Sequence, residues 1–267
     1  MTSSYEPPAL FVNWQDESSR RIFPVGRLVT LKGEGYEFAY IAAAREAQEF
    51  GFAPFQAFPD LEQVYRAPEL PAFFKNRVLQ PGRPDYPLHL KELGLESATA
   101  TPIDILARSG GRRVTDPLEV FAELVQVGDR LETHFFVRGI RHQVGAEDAV
   151  AHLHSGDSLR LKPEPTNEFN GNAHLLVCHD GRSVGYVPDY LVDDLKQLMD
   201  HDDSLEVEVV RVNAPPSPSQ QRLLCKLSIS GTAPRPHRAA RFEPISPAAI
   251  RLDAQAASAA GLQRRTG

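Results

Sequence analysis

Four histidines are the first residues in this sequence that invite a chemical reading. His152 and His154 flank Leu153, and His174 and His179 bracket an apolar run. On a strand, His152 and His154 would share one face, and imidazole is a common metal ligand. No Cys/His spacing of the zinc type accompanies them, so no metal site is expected. Cys178 and Cys225 lie inside the apolar stretches Leu-Leu-Val-Cys and Leu-Leu-Cys-Lys-Leu. Burial as free thiols in a reducing compartment is the expectation there. Asp193-Asp194 and Asp200-His201-Asp202-Asp203 read as the solvated face and end of a helix. The sequence contains no Gly-x-Ser-x-Gly turn, no phosphate-binding loop and no paired-carboxylate frame. No catalytic residue and no cofactor is expected, and the chain reads as a non-enzyme.

Composition narrows the remaining classes. With 267 residues, 42% apolar and 24% charged, the chain is long enough for two ordinary globular domains. No apolar run approaches the ~20 residues of a membrane helix. Met1 to Pro8 lack the basic and then apolar pattern of a secretory leader, so a cytoplasmic protein is expected. The net charge is −6. Non-specific duplex binding normally requires a broad basic face. Any nucleic-acid role must therefore rest on a small pocket.

The elements that would position such a pocket follow from periodicity. Phe11 to Trp14, Ile22 to Lys32 and Tyr36 to Tyr40 read as strands. Tyr36, Phe38 and Tyr40 alternate with Glu37 and Ala39 as in a half-buried strand, after a hairpin signal at Gly33-Glu34-Gly35. Short helices are expected over Ala42–Phe50 and around Phe73-Phe74, and Thr115-Asp116-Pro117 reads as a helix start. Farther on, Phe135–Ile140, Ser158–Leu161, Ala173–Cys178, Val184–Val187, Leu205–Val210 and Leu223–Ile229 are strand-like. His179-Asp180-Gly181-Arg182 is a hairpin turn between two of them. Leu191, Leu195, Leu198 and Met199 place an amphipathic helix over Asp189–Asp200. The fold class expected is α+β, mainly β. It comprises two small β-barrel-like domains, each with one or two short helices, and a disordered C-terminal tail. The boundaries are 1–94, a connector over 95–133, 134–231, and a basic tail over 232–267 with six arginines.

Three motifs in the second domain occur in order: Gly156-Asp157-Ser158-Leu159-Arg160-Leu161, the loop Pro165-Thr166-Asn167-Glu168-Phe169-Asn170-Gly171-Asn172-Ala173, and Val184-Gly185-Tyr186-Val187-Pro188. Together with Val137-Arg138-Gly139-Ile140-Arg141-His142 they resemble the HIRAN family over about a hundred residues. The resemblance implies a barrel-like domain whose pocket takes the 3′ end of single-stranded DNA. By position, Arg141 would contact phosphate, and His142 would stand where a tyrosine stacks on a base. Gln143 replaces a second tyrosine. Asn167 and Phe169 would line the loop, Asn170 occupies an aspartate position that accepts the terminal hydroxyl proton, and Tyr186 would face the site. His142, Asn170 and Asp189 depart from the pattern toward weaker stacking, weaker hydrogen bonding and less positive charge. The segment 134–231 holds nine Lys/Arg against fourteen Asp/Glu. Read without the family, the asparagines either hold turns through backbone bonds or line a pocket, and Phe169 is either a core plug or a stacking face.

A fainter resemblance covers about seventy N-terminal residues. Val25-Gly26-Arg27-Leu28, Tyr36-x-Phe38-x-Tyr40, Phe58-Pro59 and Phe73-Phe74-x-Asn76 are similar to the small N-terminal subdomain of HipA-type kinases, without the kinase core. The reading is therefore a DNA-end-binding module with an N-terminal partner-docking domain. Its partners would be single-stranded DNA or DNA ends, with a HipA-like kinase as a protein partner. The alternative is an antitoxin-like interaction protein that partners such a kinase in a toxin–antitoxin system.

Overall fold

The computed structural model describes residues 9–31, 35–168, 170–200, 204–230 and 240–250. Two compact units emerge: residues 1–78, 110–122 and 239–267 form one, and residues 79–109 and 123–238 the other. Both are built on antiparallel sheets. The chain is mainly β with short helices, and no closed barrel forms among the described residues.

The first unit holds a five-stranded sheet of order β4-β3-β2-β1-β5. Its strands are β1 (Leu10–Gln15), β2 (Ile22–Leu31), β3 (Gly35–Tyr40), β4 (Tyr65–Ala67) and β5 (Leu118–Ala122), with helices α1 (Ala43–Gln48) and α2 (Ala72–Lys75). Alternation along β3 predicts one wet face, yet Glu37 and Ala39 are as buried as Phe38 and Tyr40. Glu37 tolerates burial because Arg66 donates to its Oε2 through Nε at 3.0 Å and Nη2 at 2.9 Å, with buried Arg27 4.0 Å from Oε1. On the other face Phe38 stacks on Phe58 and meets Phe74 at a tilt, and the Tyr40 hydroxyl donates to the Phe58 carbonyl. The helix start expected at Thr115 is not a helix. Residues 118–122 form β5, which pairs with β1 from Leu10↔Ala122 to Trp14↔Leu118. Leu118 and Val120 are buried two residues apart, a period the open edge of β1 selects over the helical one.

A second correction concerns the tail. Residues 240–250 are ordered on the first unit, with Ile41 and Pro244 forming an antiparallel bridge. The rest of the tail beyond residue 230, and with it most of the disorder expected over 232–267, lies outside the described residues.

The second unit holds a seven-stranded sheet of order β10-β9-β8-β11-β12-β7-β6. The strands are β6 (Val125–Val127), β7 (Arg130–Phe136), β8 (Ser158–Pro163), β9 (His174–Val177), β10 (Ser183–Tyr186), β11 (Glu206–Val212) and β12 (Leu223–Ser230). Helices α3 (Tyr86–Glu92), α4 (Pro102–Ser109), α5 (Ala146–Ala151) and α6 (Asp189–Met199) accompany them. Leu191, Leu195 and Leu198 of α6 are buried at helical spacing against Phe135, Leu176, Val184, Val207 and Val209. Along β11, Val207 and Val209 point inward while Glu206 is exposed. Both cysteines are free and buried, and burial raises the pKa of each thiol. Neither of the paired histidines lies on a strand: His152 caps the C-terminus of α5 and His154 follows in a turn. Among the described residues no helix is long and apolar enough to cross a membrane.

Candidate nucleic-acid interface

The site grows from one backbone crossing. After β7 the chain continues to Arg138, which exchanges two hydrogen bonds with Tyr186, at 2.9 Å and 2.8 Å. Gly139 then takes a left-handed conformation, φ 69°, and turns the chain into a 3-10 turn over Ile140–His142. The strand expected over Phe135–Ile140 thus stops short, with β7 ending at Phe136 and the pairing ending at the Arg138 bridge. Two glycines permit the crossing. A Cβ on Gly185, φ 131°, would lie 2.4 Å from the Arg138 carbonyl oxygen, and one on Gly139 would lie 3.1 Å from the Tyr186 ring. Only a residue without a Cβ fits the first of these positions.

This turn brings Gln143 to Tyr186. The Gln143 amide donates to the Tyr186 hydroxyl at 3.0 Å, and Ser183 donates to the Gln143 carbonyl oxygen at 3.1 Å. The Tyr186 hydroxyl donates in turn to Glu164 Oε2 at 2.7 Å, and the Asn167 amide donates to the same oxygen at 2.9 Å. Glu164 is therefore the hub of the cluster, and the sequence reading passed over it. Its signal was local: a carboxylate pinned between Pro163 and Pro165 at the end of β8, three residues before a turn asparagine. The Asn167 amide and the Tyr186 hydroxyl together hold the Glu164 carboxyl below its ordinary range. Burial raises the Tyr186 phenol, and its bond to Glu164 raises it further. At neutral pH the pair is thus a carboxylate receiving a phenol proton, a short charge-assisted bond.

The loop continues the chain of contacts. Asn167 Oδ1 accepts the backbone N–H of Asn170 at 3.1 Å, and Asn170 Oδ1 accepts that of Asn172 at 2.9 Å. Both asparagines therefore hold turns through their side chains. The Asn170 amide also donates to Asp189 Oδ1, 3.2 Å away on the first turn of α6. Of the expected site residues, Gln143, Asn167, Asn170 and Tyr186 share this one cluster. Arg141 and His142 are exposed on the 3-10 turn beside it, with Arg141 Nε donating to His142 Nε2 at 3.1 Å. Phe169 lies outside the described residues. Beside the loop a cavity of about 190 Å³ is lined by Pro163, Asn172, His174, Lys196 and Met199 among others. No group of three or more His, Cys, Asp or Glu among the described residues is arranged to hold a metal ion.

Residues 131–231 match the model of the HIRAN domain, a DNA-binding module. Solved structures similar to this chain include a protein from Lactobacillus plantarum, at 19% identity and TM-score 0.30, over 37% of this chain and 95% of that one. The HIRAN domain of human HLTF is similar at 21% identity and TM-score 0.25, over 37% of this chain and 71% of that one. No curated protein matches the chain.

Proposed function

We propose that residues 131–231 are a non-enzymatic reader of single-stranded DNA that engages the 3′ end. The supporting observation is convergence. The 3-10 turn after β7, the loop between β8 and β9, and Tyr186 at the end of β10 meet in one hydrogen-bonded cluster, with Arg141 and His142 exposed at its rim. Those are the two chemistries a strand end needs, a cation for phosphate and an aromatic face for a base. Stacking of a base on an aromatic ring contributes about 1–3 kcal/mol. A single phosphate contact from Arg141 lowers the logarithm of affinity by roughly 0.7 per decade of salt on a single strand. With nine basic against fourteen acidic residues over 134–231, binding rests on these few contacts rather than on a general field.

Fluorescence anisotropy with labelled single strands tests the reading. The expected result is binding at low salt, weaker for a 3′-phosphorylated strand than for one with a free 3′ hydroxyl, and weakened by Arg141→Ala. Equal affinity for free and blocked ends removes end recognition. No binding at low salt removes the function altogether.

A further inference from the structure

We propose that Arg160 and Lys162, on the outward face of β8, form a track for the sugar–phosphate backbone of a single strand whose end lies at Tyr186. The proposal rests on the strand-end reading and extends it to the phosphates upstream of the terminal nucleotides.

Register places the two cations on the face that carries the site. Lys162 stands opposite Leu175 of β9, and Leu175 opposite Tyr186 of β10. In the neighbouring row Arg160 stands opposite Val177, and Val177 opposite Ser183. Residues opposite one another in an antiparallel pair project to the same side of the sheet. Arg160 and Lys162 therefore share a face with Tyr186 and with Ser183, which donates to Gln143. The reverse side of these strands is core, where Leu159, Leu176 and Val184 are buried together. Neighbouring strands lie about 4.8 Å apart, which puts Lys162 about 10 Å from Tyr186 across β9 and about 7 Å from Arg160 along β8. A nucleic-acid strand that advances at least ~3.4 Å per nucleotide reaches Lys162 from Tyr186 within about three nucleotides.

Charge singles the two residues out. Both are exposed, and among the described residues neither enters an ion pair or a side-chain hydrogen bond. Other cations of the segment are already matched: Arg182 meets Asp180 and Asp148, Arg222 meets Glu147, and Lys226 meets Glu208. The last pairing matters to the track, because Glu208 stands opposite Ser158 on the same face. At the site end, Glu164 is engaged by Tyr186 and Asn167, and Asp189 by Asn170. Lys162 adds, after the Asn167 and Tyr186 bonds, to what holds the Glu164 carboxyl below its ordinary range. A phosphate reaching β8 thus meets two cations whose charge is not cancelled, in a segment that is acidic as a whole. A basic strip beside an aromatic platform is how single strands are held without base readout.

The test is the salt dependence of fluorescence anisotropy for two labelled strands with free 3′ ends, a dinucleotide and a strand of about ten nucleotides. For the longer strand, the double variant Arg160→Gln/Lys162→Gln should lower the slope of log affinity against log salt by about 1.4, since each phosphate contact on a single strand contributes about 0.7. The dinucleotide should bind the variant and the unaltered chain equally, whereas Arg141→Ala should weaken both strands. The charge-retaining pair Arg160→Lys/Lys162→Arg should restore the slope. An arm on the unaltered chain uses uncharged methylphosphonate linkages in place of the two phosphates nearest the third and fourth nucleotides from the 3′ end. They should cost the same slope, and cost none in the double glutamine variant. An unchanged slope for the longer strand overturns the track and leaves the end reading standing. An equal loss for the dinucleotide also overturns it, because the cations would then act at the end itself. No binding of either strand to the unaltered chain at low salt removes the end reading, and the track with it.

Discussion

Each unit holds a cluster of polar groups around one glutamate, and the two glutamates are treated oppositely. Glu37 is 1% exposed and is met by guanidinium groups, Arg66 at 2.9 Å and Arg27 at 4.0 Å, with an aromatic cluster on the far face of its strand. Glu164 is only half buried and is met by neutral donors, the Tyr186 hydroxyl and the Asn167 amide. A carboxylate neutralised by cations inside a fold serves the fold. One that keeps its charge at a surface, among neutral groups, orients them without cancelling itself. In the second unit the glutamate keeps neutral, partly exposed partners, whereas in the first it is matched by guanidinium charge.

The comparison breaks most directly at Glu37. Glu37→Ala leaves the Arg27 guanidinium, itself 2% exposed, without its buried counter-charge. Removing one partner of a buried ion pair costs about 3–5 kcal/mol. Urea unfolding of the first unit, followed through Trp14, should show a loss of that size. A loss below about 1 kcal/mol would mean that Glu37 is no more structural than Glu164.

Next in size is Gly185→Ala. A Cβ there meets the Arg138 carbonyl oxygen at 2.4 Å and Val137 Cγ1 at 2.7 Å, with φ at 131°. Relief requires the Arg138–Tyr186 bridge to open, and the expected loss is about 2–3 kcal/mol. Because that bridge carries Gln143 to Tyr186, single-strand binding should fall with it. Stability lost with binding intact would separate the crossing from the site.

The units should also part company with pH. His134 on β7 has its pKa pushed well below the ordinary value by burial, and further by Arg108 and Lys226 beside it. It is neutral in the folded state, whereas an unfolded histidine takes up a proton near pH ~6.5. Below that pH the unfolded chain binds more protons, so stability falls as pH drops through ~6.5 toward the folded pKa, by at most about 1.4 kcal/mol per pH unit. Thermal melts between pH 7 and pH 5 should show this decline in the second unit, and His134→Gln should flatten it. An unchanged slope in the variant would place the proton uptake elsewhere.

Much of the architecture was legible in the sequence, because strands with one buried face announce themselves by period two. Val207 and Val209 against Glu206 are an instance, and Leu191, Leu195 and Leu198 mark α6 equally well. What was not legible depends on distant partners. Residues 118–122 carry apolar side chains that suit a helix or a strand, and only the free edge of β1 decides between them. Ordering of 240–250 depends on Glu37 and Tyr40, two hundred residues earlier in the chain. At the candidate site, the asparagine loop and the Tyr186 strand could be read from their motifs. Glu164 could not, since its role arises where β8, the loop and β10 meet. The turn at Gly139 was likewise hidden inside an apolar run that reads as continuous strand.

The smallest effect on stability, and the sharpest on the comparison, is expected from Glu164→Gln. The amide is isosteric and can still accept from Tyr186, so only the charge is lost. A hydrogen bond to a half-exposed group contributes about 1 kcal/mol or less once solvent screening is counted. Unfolding should therefore shift little, and far less than for Glu37→Ala. The Glu164 carboxyl is held below its ordinary range by the Asn167 and Tyr186 bonds. That contribution is present above the unfolded glutamate value of ~4.3 and is lost as pH falls through the lower folded value. The glutamine variant should lack this acid-side loss. In binding the charge counts differently: a neutral amide no longer fixes the phenol proton toward position 164 or repels a nearby phosphate. If Glu164 serves the site, the ratio of affinities for hydroxyl-ended and phosphate-ended strands should change severalfold while the unfolding midpoint barely moves. An unfolding loss as large as that of Glu37→Ala, with the ratio intact, would make the two glutamates alike and leave the second unit without an oriented polar site.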